Sequence, residues 1–200
     1  MIIEVIKGDI LAQPDLDCVV NPANGHLRHG GGLARAIDVA AHGGNPGPFV
    51  NNVTGGFAKC RPNGGGDVGR VGRWQKDNES APLIATGDAY VTSAGLLPYK
   101  RVVHAVGPVY GGGNFYESGL LISAYTRALE EAELSGCTRV GLPAISCGIF
   151  GYPVEKAAPL ALAAAFGYSF TTEKLRLARF VMFSDEHHEV FTNALTDLVD

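Results

Sequence analysis

Val19-Val20-Asn21-Pro22-Ala23-Asn24-Gly25-His26-Leu27-Arg28-His29-Gly30-Gly31-Gly32-Leu33-Ala34-Arg35-Ala36-Ile37 is the stretch on which the fold turns. Two β-branched residues end a strand, Asn-Pro-Ala-Asn interrupts it, and the apolar spacing from Leu33 begins a helix after three glycines. Glycines at a strand-to-helix corner accept positive φ and let a ligand approach the main chain. The first N–H groups of the helix lack partners inside it and favour an anion. The stretch therefore predicts a phosphate or diphosphate site, with Asn24 offering a donor and an acceptor to a sugar's hydroxyl pair.

The same arrangement returns later. Val140 to Ile145 is a buried-strand candidate that runs into Ser146-Cys147-Gly148-Ile149-Phe150-Gly151, and Pro153 sits where a helix begins, ahead of Ala157 to Phe166. Between the two corners lie a β-prone run from Leu83 to Thr92, an apolar strand Arg101 to Val106 ended by Gly107-Pro108, and an amphipathic helix from Glu117 to Leu134 that Gly136 ends. Ile2 to Ile6 supply a first, β-prone run and Leu175 to Phe183 the last strand, and a last helix runs from about Asp185 to Leu198. Strands alternating with helices imply a mainly parallel sheet covered on both faces. Ligands of such sheets bind beyond the carboxyl ends of the strands, where both glycine corners lie.

From Gly43 to Ser80 the composition turns glycine-rich and polar, with Asn51-Asn52 and Gly64-Gly65-Gly66. A stretch this long without periodicity reads as a surface insertion, with short ordered pieces expected near Phe49-Val50 and Trp74.

Composition narrows the function. With 200 residues, 46% of them hydrophobic, the chain is the size of one domain with a substantial core. A net charge of −4 argues against a surface built to grip long nucleic acid, while a small anion held by main-chain N–H groups stays compatible with it. Cys18, Cys60, Cys137 and Cys147 show no C-x-x-C spacing, so neither a disulfide framework nor a metal site is expected. No apolar run reaches membrane-spanning length and Met1 to Val5 lacks the layout of a signal peptide, so a cytoplasmic protein without a membrane partner is expected.

The motifs resemble a macrodomain, the ADP-ribose-binding module. The resemblance rests on Asn-x-Ala-Asn before the triple glycine, Thr86-Gly87-x-Ala89-x-x-Thr92, the segment Leu97-Pro98 to His104-x-Val106-Gly107-Pro108, and the second loop at 146–151. It covers residues 1–42 and 83–198 and implies a single three-layer α/β/α domain over 1–200, with a mixed, mostly parallel sheet of about six strands and the 43–80 stretch as an insertion. It also implies ADP-ribose as ligand. Asp9 would accept the adenine amino group, with Ile10 as a main-chain contact, and Phe183 would stack on the ring. A turn-capping Asp9 and a core Phe183 are the plainer alternatives. Ser184 and Asp185 are weaker candidates for the adenosine ribose. Gly30, Gly31, Gly32 and Leu33, with Ser146, Cys147, Gly148, Ile149, Phe150 and Gly151, would hold the diphosphate and far ribose, beside Ala23 and Asn24.

For chemistry the resemblance implies hydrolysis of mono-ADP-ribose from acidic side chains of proteins, with Asn24, His29, Gly31 and Phe150 as the catalytic set. No cofactor or metal is expected, and a monomer is. Many hydrolases of the family carry an aspartate two residues after the third glycine, where this chain has Ala34. The H-G-G-G-x-A pattern instead resembles viral and antiviral-polymerase macrodomains, which would place a viral chain in the host-cell cytoplasm. A binding-only reader of ADP-ribosylated proteins, or action on ADP-ribose 1″-phosphate or O-acetyl-ADP-ribose, stays open. So does a thiol nucleophile at Cys147 with His104 as its base.

Overall fold

The computed structural model describes residues 1–27, 31–44 and 84–199. Apart from Gly43 and Gly44 the glycine-rich stretch, with Phe49, Val50 and Trp74, lies outside the described residues, as do Arg28, His29 and Gly30.

Among the described residues six strands form one sheet: β1 (Ile2–Lys7), β2 (Cys18–Pro22), β3 (Ala89–Ser93), β4 (Arg101–Ala105), β5 (Arg139–Leu142) and β6 (Leu177–Met182). Their order is β1-β6-β5-β2-β4-β3, and every pairing is parallel except β3 with β4. The four α-helices described are α1 (Gly32–Ala41), α2 (Glu117–Leu134), α3 (Val154–Ser169) and α4 (Asp185–Val199). The sequence places these elements within a few residues, except that the strand expected in the 83–92 run begins only at Ala89. Pro153 precedes α3 as its cap and does not open its first turn.

Alternation along the central strands divides the core. Cys18, Val20, Val103 and Ala105 face α2 and α3, while Val19 and Val102 face the cluster that includes Ile37 and Ala41 of α1. Among the described residues, the side of the sheet under α2, α3 and α4 carries the larger buried cluster. Alanines on α3, with Ala157, Ala158, Ala161 and Ala165 all fully buried, let that helix approach its neighbours closely.

Two polar devices fix the sheet. Asn21, His104 and Thr92 are fully buried side chains on three adjacent strands. Asn21 Nδ2 lies 3.0 Å from His104 Nδ1, and His104 Nε2 lies 2.9 Å from Thr92 Oγ1. With Asn21 donating, the imidazole carries its proton on Nε2 and gives it to the threonine.

At the opposite end of the strands from the glycine corners, Asp17 joins β2, β4 and β5. Its Oδ2 accepts from Thr138 N–H at 2.8 Å, Thr138 Oγ1 at 2.7 Å and Arg139 N–H at 3.1 Å, and its Oδ1 pairs with Lys100 Nζ at 2.6 Å. Burial pushes the Asp17 carboxyl up, but Lys100 and Thr138 outweigh it and bring the pKa down to about 2. A carboxyl lowered on folding stabilises fully above its unfolded value, near 4, and loses that contribution as pH falls toward 2. Asp17→Asn is therefore expected to lower stability at neutral pH by about 2 kcal/mol. Urea melts of both proteins should converge between about pH 4 and pH 2. Parallel curves across that window would show that the carboxylate is not the source.

Candidate functional site

The first corner, loop one, begins where β2 runs out. Ala23 N–H still reaches the Ala105 carbonyl at 2.9 Å, and then Asn24 Oδ1 accepts the His26 N–H at 3.1 Å and closes a turn. Leu27, in the left-handed region at φ +54°, drops into a small apolar cluster with Ala23, Ile84 and Val106. After the undescribed 28–30, Gly31 caps α1 in extended backbone without a side-chain hydrogen bond. Gly32 opens the helix at φ +58°, a conformation that favours glycine.

The second corner, loop two, is held from below by Tyr125, a fully buried residue of α2. Its hydroxyl donates to the Pro143 carbonyl at 2.9 Å and accepts the Ile145 N–H at 2.8 Å. Ser146 then adopts φ +67°, uncommon for a residue with a side chain. The Ser146 carbonyl accepts from Tyr152 N–H at 3.0 Å, and Gly151 N–H closes on Gly148 at 2.9 Å.

The loops meet. A methyl group added at Gly31 would sit 3.5 Å from Ile149 Cδ1, and both corners wall one cleft of about 910 Å³. Gly31, Gly32 and Leu33 line it from loop one and Ser146 to Phe150 from loop two, together with Ala23 and Asn24 after β2, Asp9 and Ile10 after β1, and Phe183 after β6. Among the described residues, ionisable side chains are scarce in its wall: Asp9, His187 and the thiol of Cys147. Described walls of this kind offer a multiply charged anion main-chain N–H groups at both glycine corners.

Several predicted residues need separate comment. Asp9 Oδ1 accepts the Leu11 N–H at 2.9 Å and caps a short 3-10 turn over Ile10–Ala12, so the capping role is realised, and the residue also lines the cleft. Ile10 is buried and its carbonyl accepts the Tyr99 hydroxyl at 2.7 Å. Phe183 is 84% exposed, which removes the reading of it as core. Gly151 takes φ +67° in its turn and is not part of the cleft wall. Nor are Ser184 and Asp185: Ser184 Oγ accepts the His187 N–H at 3.2 Å to cap α4, and Asp185 pairs with Lys7. His187, one turn into α4, lines the cleft in their place. His29 and Gly30 lie outside the described residues.

The thiol-nucleophile reading is overturned. Burial, with Glu155 second, pushes Cys147 up to about 12, so it is a protonated thiol at neutral pH, donating to the Ile145 carbonyl at 3.5 Å. His104 is held between Asn21 and Thr92 inside the sheet and is no base for it. Among the described residues no group of three or more His, Cys, Asp or Glu side chains is placed to hold a metal ion, and no helix is long and apolar enough to cross a membrane.

Comparison with known proteins gives this arrangement its family. A macro domain-containing protein of Caldanaerobacter subterraneus subsp. tengcongensis is 36% identical over 196 residues, 98% of this chain and 97% of its own. The chain belongs to the macro domain family. The family model for the Macro domain itself matches residues 69–161. A second bacterial macrodomain relative, of Cronobacter turicensis, bears the name O-acetyl-ADP-ribose deacetylase and is 35% identical over 193 residues, 96% of this chain and 95% of its own. In three dimensions the macrodomain fold matches that of the Oceanobacillus iheyensis macrodomain solved with ADP, at a TM-score of 0.75 and 27% identity over 98% of this chain and 91% of that one. A mutant of that macrodomain solved with ADPR gives the same TM-score at 26% identity, over 98% of this chain and 93% of that one.

Proposed function

We propose that the protein binds ADP-ribose in this cleft and hydrolyses mono-ADP-ribose from acidic side chains of proteins. The observation that carries the reading is the meeting of two glycine corners over one cleft whose described wall is nearly free of charged side chains. A diphosphate is the ligand such a cleft suits, because its charge meets N–H dipoles fixed by the fold. That a related macrodomain is solved with ADP and with ADPR supports the same ligand here. Asp9 and Phe183 take the adenine, loops one and two the diphosphate, and Asn24 and Phe150 the far ribose.

Hydrolysis proceeds without a side-chain carboxylate at position 34. A water held between the ligand's diphosphate and the main chain attacks C1″, and the bond from C1″ to the carboxyl oxygen breaks. The protein side chain leaves as carboxylate, and the water's proton passes to a phosphate oxygen. The ester is a labile bond, so positioning supplies much of the acceleration. Asn24 orients the ribose and His29 polarises the site. The H-G-G-G-x-A pattern of loop one resembles that of viral and antiviral-polymerase macrodomains, in keeping with a mechanism of this kind, although the relatives named above are bacterial. The protein works as a cytoplasmic monomer that needs no metal or cofactor.

A second reading, deacetylation of O-acetyl-ADP-ribose, is favoured by the names of two relatives at 34–35% identity. It asks the same cleft to cleave an ester on the same ribose. Incubation with an automodified, radiolabelled mono-ADP-ribosyltransferase domain tests the primary reading, with loss of label expected. Label retained while O-acetyl-ADP-ribose is consumed replaces it with the second. Label retained, no deacetylation and roughly micromolar ADP-ribose binding would leave a reader module.

A further inference from the structure

Loop two leans outward on another piece of chain. The Tyr110 N–H donates to the Phe150 carbonyl at 2.8 Å, and its ring packs 4.8 Å from that of Tyr152. The stretch 107–116 that carries Tyr110 contains no charged side chain and includes Gly111-Gly112-Gly113. A buried carboxylate holds it in shape. Glu117 Oε1 accepts from Gly111 N–H at 2.9 Å and Gly113 N–H at 3.1 Å, and Oε2 from Phe115 N–H at 2.6 Å. These donors, Phe115 first, bring the Glu117 pKa down to about 2, so the carboxylate is ionised at neutral pH.

What the clamp displays is apolar. Phe115 is 71% exposed, Val109 65%, and Tyr116 89% in the left-handed region at φ +58°. A non-glycine residue held there costs on the order of 1 kcal/mol or more, and rings left in water return little of it. Exposed apolar side chains on a rigid loop beside a cleft mark a binding surface.

Contact runs unbroken from the cleft to these rings. Gly107 and Phe150 line the cleft, Tyr110 bonds to Phe150, and a methyl at Gly111 would lie 3.3 Å from the Phe115 ring. Lys156, the cation beside this rim, donates to the Tyr110 hydroxyl at 2.9 Å and lies 5.5 Å over its ring.

We infer that Val109, Phe115 and Tyr116 receive the polypeptide that carries the ADP-ribose, an extended segment around the modified acidic residue. This rests on the function proposed above. An aspartate or glutamate side chain is short, so a ribose seated between Asn24 and Phe150 brings its polypeptide onto the rim beside Phe150. Lys156 complements the negative charge expected around an acidic modification site. A free metabolite ends at its ribose and does not reach the rings.

The test is the double variant Phe115→Ser/Tyr116→Ser, whose sites are exposed. Its affinity for free ADP-ribose by calorimetry should equal that of the wild type. With an automodified mono-ADP-ribosyltransferase domain, KM for label release should rise roughly five- to tenfold with kcat retained. For a wild type that binds but does not cleave, the same loss should appear in affinity for the modified domain. Equal behaviour of variant and wild type toward the modified protein overturns the inference, and so does an equal loss toward free ADP-ribose. A wild type without ADP-ribose affinity instead refutes the proposed function, and the rim with it.

Discussion

Replacing Asn24 by alanine is expected to lower release of ADP-ribose from protein roughly a hundredfold, with the fold retained. The residue stands at the exit of β2, and its carboxamide is oriented by its own turn through the 3.1 Å bond from His26 N–H to Oδ1. A ribose hydroxyl pair held by such a group keeps C1″ in line with the attacking water. A displacement of about 1 Å at that point is enough for a loss of this order. Asn24→Asp separates the two roles, since it keeps the oxygen that closes the turn and removes the amide donors. Single-turnover kinetics should show both variants slow, with ADP-ribose affinity by calorimetry reduced far less. Wild-type rates in the aspartate variant would remove Asn24 from the chemistry.

The second large effect should come from a residue that touches no ligand through a side chain. A Cβ at Gly107 would lie 2.2 Å from Ser146 Oγ and 2.5 Å from Ile145 Cγ2. The serine hydroxyl can rotate aside. Ile145 cannot, because it is buried, branched at Cβ and fixed through its N–H to Tyr125. Gly107→Ala must therefore displace the base of loop two, at a cost of about 1–3 kcal/mol for overpacking. Affinity for ADP-ribose is expected to fall roughly 10- to 100-fold, since the displaced N–H groups no longer converge. The melting temperature should drop by a few degrees, on the order of 2–4 °C per kcal/mol. Calorimetry and thermal melts check both. Unchanged affinity at a lowered melting temperature would mean that loop two is scaffold only.

Gly107 also shows where the sequence stops being legible. Its motif, His-x-Val-Gly-Pro, reads as a strand and its end, but the demand for glycine comes from Ile145 and Ser146, 38 and 39 residues away in sequence. The two glycine corners were readable because each carries its own local signal, a β-branched run broken by turn residues and followed by helical spacing. Tyr125 looked like one more apolar position on an amphipathic helix, and only its hydroxyl's two partners show that it supports loop two. His187 gave no signal at all, since a histidine in a helix's first turn is ordinary and the cleft reaches it only in three dimensions. Ser184 and Asp185 misled for the opposite reason: both are polar and near Phe183, yet helix capping and an ion pair with Lys7 occupy them. The glycine-rich 43–80 stretch lacks periodicity, and the short ordered pieces expected near Phe49-Val50 and Trp74 lie outside the described residues.

The Asn21, His104 and Thr92 chain inside the sheet has a further consequence for the cleft. Apolar strands of similar residues can slide past one another by two positions with little change in what they bury. A slide here would leave imidazole and amide groups facing hydrocarbon, at a cost of about 1–3 kcal/mol for each group stranded. The triad thus works as a key in a lock: it holds the register that pairs Pro22 with Ala105, from which the chain runs on to Asn24 and Gly107 in the cleft wall.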